Sequence, residues 1–189
     1  MIDNDIQQIA AQEISGTGES VVWLGQPDPK IFAMQRIPFF LFSIPWTAFA
    51  VFWVYAASGF KFPPDFSQGG FAFFPLFGFP FVLVGLGMML SPVYAYTNAF
   101  RTIYIVTNKT IRIVKNGSTK KVEIYAAQDI EKIERKEKSD GKGTIIFAHS
   151  TSFTSKGNMQ RMPIGLYGIS DVRTVEQYIT AIRKTAEEQ

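Results

Sequence analysis

Apolar residues gather in the middle of this chain, and polar ones at its two ends. From Ile37 to Phe100 only Lys61 and Asp65 carry charge. Within that stretch, IPFFLFSIPWTAFAVFWVYAA (37–57) is a run of 21 uncharged residues. A helix of that length reaches about 31 Å, close to the hydrocarbon thickness of a bilayer. Pro38 falls in its first turn, where no donor is lost, and Pro45 inside it, where a kink is expected. SGFKFPPDFSQGG (58–70) is rich in turn formers. A second apolar run follows, FAFFPLFGFPFVLVGLGMMLSPVYAY (71–96). It is longer than a bilayer needs, so tilt or an interfacial portion is expected. Pro75 and Pro80 should make its first third irregular. Gly78 and Gly85 are about two helical turns apart and can line one side, where the first run can pack. Two adjacent runs with almost no charge call for an apolar solvent rather than the core of a soluble protein.

The flanks read differently. Ile2, Ile6, Ile9 and Ile14 recur near helical spacing, which predicts a short amphipathic helix over 2–14. SGTGES (15–20) reads as a flexible linker. In VVWLGQPDPK (21–30), Pro27 and Pro29 should end any regular element. After Tyr96 the pattern shifts to short β-rich runs: RTIYIVT (101–107), TIRIVK (110–115), TKKVEIYAA (119–127) and GTIIFAHS (143–150). Asn116–Gly117 is a strong hairpin signal, because both residues tolerate positive φ. DIEKIERKEK (129–138) is ambiguous, and 151–169 carries weaker strand character near Phe153 and Met159–Ile164. Ser170 is placed to cap a helix running to about Ala186, with Val172, Val175, Ile179 and Ile182 as its apolar stripe.

Charge divides along the same lines. Residues 1–36 carry a net −3 and residues 97–189 a net +6. Lys30 and Arg36 precede the first run, and Arg101, Lys109, Arg112 and Lys115 follow the second, whereas the connection holds only Lys61. That bias places both ends in the cytoplasm and the connection outside. Trp53 and Tyr55 lie toward one end of the first run, and Tyr94 and Tyr96 toward the opposite end of the second, as interfacial belts require. The acidic start lacks the basic and apolar segments of a cleavable signal. The expected location is a bacterial inner membrane, multi-pass, with three parts: a cytoplasmic arm (1–36), a transmembrane hairpin (37–57 and 71–96) and a cytoplasmic domain (97–189).

Candidate chemistry is sparse. The sequence has no cysteine, which removes thiolate nucleophiles, thiolate metal sites and disulfides. His149 is the sole histidine, and no G-x-S-x-G surrounds any serine. GTGES (16–20) lacks the third glycine and the preceding strand of a dinucleotide loop. Glu131, Glu134 and Glu137 alternate with Lys132, Arg135, Lys136 and Lys138, as on a solvated edge rather than in an acid–base pair. Asn108-Lys109-Thr110 is a glycosylation sequon that would be inert in the cytoplasm. No catalytic residue, metal or cofactor is therefore expected. Lys120 and Lys121 beside one turn, and Arg135, Lys136, Lys138 and Lys142 around the next, can form a basic rim that contacts a partner or anionic headgroups. The basic residues are scattered among acidic ones, so nucleic acid is not an expected partner. A protein partner and the bilayer are, and the remaining hairpin surface leaves room for a homo-oligomer.

Four segments together resemble bacterial pleckstrin-homology-like membrane proteins that carry a transmembrane hairpin. They are the W-x-G-x-P entry (Trp23, Gly25, Pro27); the R-x-x-Y-x-V-T strand (Arg101, Tyr104, Val106, Thr107); DIEKIERKEKSDGKGTIIF; and LYGISDVRTVEQYI, where Gly168, Ile169 and Val172 lead into the last helix. The resemblance implies a small antiparallel β-barrel or sandwich of about seven strands, closed by the C-terminal helix and preceded by the hairpin. It brings no catalytic residues. In eukaryotic relatives the phosphoinositide pocket is built on a long basic loop between the first two strands. Here that loop reads as Asn108–Lys109 alone, which does not supply one. The expected function is a membrane-anchored, non-enzymatic binding or scaffold protein. The alternative is a sensor of anionic lipid headgroups at the cytoplasmic leaflet.

Overall fold

The computed structural model describes residues 4–61, 70–153 and 159–187. It divides into two units, Ala33–Tyr96 on one hand and Met1–Phe32 with Thr97–Gln189 on the other.

The apolar unit is helical. The first run forms helix α3, Ile37–Ala57, with the bounds its pattern predicts, and it continues through Pro45. (Helix α1 is Asn4–Ile14 and α2 is Pro29–Met34.) The second run is not one helix. A 3-10 stretch over Gly70–Gly78 contains Pro75; α4 runs Phe79–Met89 and α5 runs Ser91–Ala99. The axis bends by 42° between α4 and α5. Pro92 explains the break. It has no N–H to donate to the carbonyl of Met88, and its ring crowds that carbonyl. The Ser91 hydroxyl takes the place of the missing donor, at 2.7 Å from Met88 O. Among the described residues, α3 alone is long and apolar enough to cross a membrane; α4 and α5 qualify only if the bent pair counts as one span.

Helices α3 and α4 pack closely. Trp46 Nε1 donates to Phe81 O at 3.1 Å, and the Trp53 and Phe74 rings lie 5.2 Å apart. Both glycines expected on one side do face α3. A Cβ at Gly78 would overlap Val54 and Trp53, and one at Gly85 would overlap Thr47 and fall 3.1 Å from Trp46 Cδ1. Nothing lies within 4 Å of a Cβ at Gly87. Gly85→Leu should therefore lose about 1–3 kcal/mol through overpacking, while Gly87→Leu stays near wild type. Thermal melts of the two variants in the same detergent check this.

The other unit holds seven strands among the described residues, in two antiparallel sheets. One has the order β1 (Val21–Gly25), β2 (Thr102–Thr107), β3 (Thr110–Asn116), β4 (Lys120–Ala126); the other is β5 (Glu134–Glu137), β6 (Gly143–Phe153), β7 (Met159–Ile169). Helix α6, Val172–Glu187, completes it. It starts at Val172 rather than directly after Ser170: Asp171 adopts φ 55°, and its carbonyl accepts from Val175 N at 3.2 Å.

Alternation sorts the side chains into two cores. Tyr104, Val106, Ile111 and Ile113 face Ile145, Phe147 and Leu166 of the second sheet, and Val175, Ile179 and Ile182 of α6 close that core. The other face of the first sheet carries Ile103, Ile105 and Val114, covered by Ile6, Ile9 and Ala10 of α1. β2 is thus buried on both faces, which accounts for its unbroken apolar run.

The N-terminal residues belong to the same unit as the β domain. β1 pairs with β2, with Trp23 opposite Val106 and Gly25 opposite Tyr104. Pro27 and Pro29 do end that strand, but Val21–Gly25 is a strand before they act, and Pro29 opens α2. The Trp23 ring folds over Gly25, where a Cβ would collide with it, so the W-x-G spacing is a packing requirement. Asp28 N donates to Gly168 O at 2.7 Å, fastening this entry to the end of β7. The apolar residues therefore do not precede the β domain. They interrupt it between β1 and β2, and Asn108–Lys109 is the turn between β2 and β3.

Candidate functional site

The six basic residues of the expected rim fall in two places. Lys120 and Lys121 begin β4 in the first sheet. Arg135 and Lys136 lie on β5, and Lys138 and Lys142 flank the β5–β6 turn in the second sheet, where Lys138 N donates to Lys142 O at 2.8 Å. Most of this charge is engaged. Lys120 pairs with Glu13 of α1, and Lys121 with Glu123 at 2.8 Å. Arg135 pairs with Glu176 of α6 and, at 3.3 Å, with Glu137. Lys142 reaches Asp28 at 2.8 Å. Lys136 and Lys138 are exposed. The Lys142 hydrogen bond outweighs the opposing effect of burial and holds the Asp28 carboxyl below its ordinary pKa. These pairs join β4 to α1, β5 to α6 and the β5–β6 turn to the residues after β1.

His149 sits on β6, 3.2 Å from Glu131 Oε2. Among the described residues, no group of three His, Cys, Asp or Glu side chains is placed to hold a metal ion. Tyr104 is buried in the main core, and its hydroxyl accepts from Tyr167 N at 3.3 Å. Desolvation pushes its pKa well above the ordinary tyrosine value.

The most enclosed polar cluster was not visible as a site in the sequence. Arg112 of β3 is 4% exposed and lies on the face that α1 covers. Its guanidinium donates to Glu19 Oε1 at 3.1 Å and to the Glu13 carbonyl. Glu19 Oε2 accepts from Thr107 Oγ1 and Thr110 Oγ1, each at 2.7 Å. The SGTGES segment is thereby fixed at the β2–β3 turn, and Ser20 and Asn108 exchange hydrogen bonds beside it, both 3.0 Å. Burial works against the Glu19 charge. The two threonine hydroxyls and Arg112 more than offset it, so the Glu19 pKa lies below its ordinary value.

Between α1 and the start of β2 lies an open groove of about 520 Å³. Its polar borders include Asp5 and Gln8 of α1, Gln26 and Arg101, and its apolar wall includes Ile6, Ile9, Phe100 and Ile103. A second groove of about 310 Å³ runs beside α3, walled by Trp46, Phe49, Trp53, Phe77 and Phe81. No family model, curated protein or solved structure matches this chain.

Proposed function

We propose that this chain is a membrane-anchored, non-enzymatic binding or scaffold protein that presents a pleckstrin-homology-like domain to the cytoplasm. The exposure of α3 carries the membrane part. Only 11% of its most apolar window is buried, and Phe49, Phe52 and Leu41 are among its exposed side chains. A soluble protein does not leave a 21-residue apolar helix uncovered, because the apolar area facing water would far exceed that of ordinary surface patches. A bilayer removes the difficulty. The bent α4–α5 pair then serves as the return span, with its 42° bend accommodating a run longer than the hydrocarbon core.

For the domain, support comes from a four-stranded sheet, a three-stranded sheet and a C-terminal helix that closes the core, an arrangement compatible with a small β-sandwich although the apolar residues enter it after β1 rather than before it. The apolar hairpin takes the place of the β1–β2 loop. A soluble headgroup loop at that position is replaced by the anchor itself, so recruitment to a membrane needs no headgroup affinity. A binding role for the domain is the economical use of such an anchor.

Two measurements test these parts. The chain has no cysteine, so Ser67→Cys and Ser150→Cys each give a single probe. In intact cells a membrane-impermeant thiol reagent should label Ser67→Cys and leave Ser150→Cys unlabelled until the membrane is opened. The reverse pattern would invert the topology, and equal labelling of both would remove the anchor. Mild crosslinking in native membranes, followed by affinity capture, should yield a specific protein partner. Its complete absence would count against the scaffold role.

A further inference from the structure

We propose that the groove between α1 and the start of β2 is a binding site for a zwitterionic phosphoethanolamine group, with Arg101 receiving the phosphate and Asp5 the ammonium. Many charged groups of this unit are paired with one another, as at Arg112–Glu19, Lys120–Glu13, Lys142–Asp28 and Arg135–Glu176, while others, such as Lys136, Lys138 and Asp140, stand on the open surface. Arg101 and Asp5 differ. Both border the same groove, and neither has an ion-pair partner among the described residues. One cation and one carboxylate held in one concavity without meeting each other suit a ligand that carries both complementary charges. A purely anionic group would gain Arg101 and be repelled by Asp5; a purely cationic one would face the converse.

The rest of the groove agrees with that chemistry. Gln8 and Gln12 of α1 present amide groups at its border, where they can donate to phosphate oxygens. Gln26 is oriented by its own Nε2, which donates to Phe100 O at 3.0 Å, leaving its side-chain oxygen as an acceptor for an ammonium. Ile6, Ile9, Phe100 and Ile103 supply an apolar wall for the carbon linker of the ligand. The volume lies within the range of small-molecule sites. Position along the chain adds the source. Arg101 is two residues past the end of α5, and is the first charged residue after the apolar runs. In a membrane-anchored chain, that places it at headgroup level. The lipid source rests on the membrane reading above; the headgroup chemistry does not.

The test uses the full chain in nonionic detergent, with lipid binding read by native mass spectrometry and free O-phosphoethanolamine binding by calorimetry. A lipid with a phosphoethanolamine headgroup should bind about tenfold more tightly than a phosphoglycerol lipid with the same acyl chains. Arg101→Gln should weaken binding of both by about tenfold. Asp5→Asn should erase the preference, by weakening the phosphoethanolamine lipid and strengthening the phosphoglycerol one. Gln8→Trp should fill the groove and block both without altering either charge, and Lys136→Gln should change nothing. Binding of the lipid alone identifies the ligand as a bilayer component. Equal binding of free O-phosphoethanolamine identifies a soluble ligand, and that arm stands even if cysteine labelling removes the anchor. No preference between headgroups, a preference that survives Asp5→Asn, or binding undiminished by Arg101→Gln would overturn the site.

Discussion

A polypeptide of residues 97–189 alone should fail to fold, whereas residues 1–32 joined by a flexible Gly/Ser linker to residues 97–189 should give a soluble domain that unfolds cooperatively. The short fragment keeps six of the seven strands and α6, and by sequence it looks complete. It lacks β1, so the edge of β2 from Tyr104 to Thr107 loses its partner. It also lacks α1, so Ile103, Ile105 and Val114 lose their cover. Each large side chain stripped of cover costs about 1.5–3 kcal/mol. Arg112 is left without Glu19 and the Glu13 carbonyl, and an uncompensated buried charge costs about 3–5 kcal/mol. The sum is comparable to the whole stability of an ordinary domain, about 5–15 kcal/mol. The spliced version restores all of these contacts and removes only the apolar unit. Thermal melts by circular dichroism, with amide dispersion by NMR, distinguish the outcomes. A cooperative melt of the 97–189 fragment close to that of the spliced domain would show that β1 and α1 are accessories.

That experiment turns on a boundary the sequence obscured. Hydrophobic periodicity located α3 to the residue, because a continuous apolar run needs no tertiary information to be read. It also gave β2, β3, β4 and α6 within a residue or two, since their alternation or helical stripe is written in local order. β1 was lost because its five residues are short and stand before two prolines, and its partner β2 lies some eighty residues further on. Strand pairing at that distance leaves no local signal. β5 was ambiguous for another reason. Glu134–Glu137 is entirely charged, and it is a strand because its backbone pairs with β6 while Arg135 and Glu137 reach the side chains of α6. The predicted basic rim was legible as composition only. Sequence gives cations near two turns; it does not give Glu13, Asp28 and Glu176 returning from distant elements to pair with them. The groove beside Arg101 was invisible for the same reason, although Arg101 itself stood out as the first residue of the R-x-x-Y-x-V-T strand.

Replacing Glu19 with Ala should be the most damaging single change outside the hydrophobic cores, at about 3–5 kcal/mol. Its side chain is 10% exposed and that of Arg112 is 5%. In a site so dry, the cation cannot recover through solvent what it loses in the pair. Two further groups depend on the same carboxylate, the hydroxyls of Thr107 and Thr110. Those two can turn toward each other, being 3.2 Å apart, so the orphaned Arg112 should dominate the loss. The double variant Glu19→Leu with Arg112→Met removes both charges and should recover much of the stability, because well-packed apolar replacements of a buried pair are often neutral. Acid should act like the single variant. The folded-state pKa of Glu19 lies below its ordinary value of 4.5. Its contribution is therefore fully present above 4.5 and is lost as pH falls through the lower folded value. Asp28, held low by Lys142, adds a second loss over the same direction of pH. Denaturant unfolding of the spliced domain from pH 7 down to pH 3 should show stability falling below about pH 4.5, with a shallower fall in the double variant. An acid limb of equal steepness in both proteins would mean that Glu19 is protonated as easily folded as unfolded, and that the cluster fastens the linker without its charge.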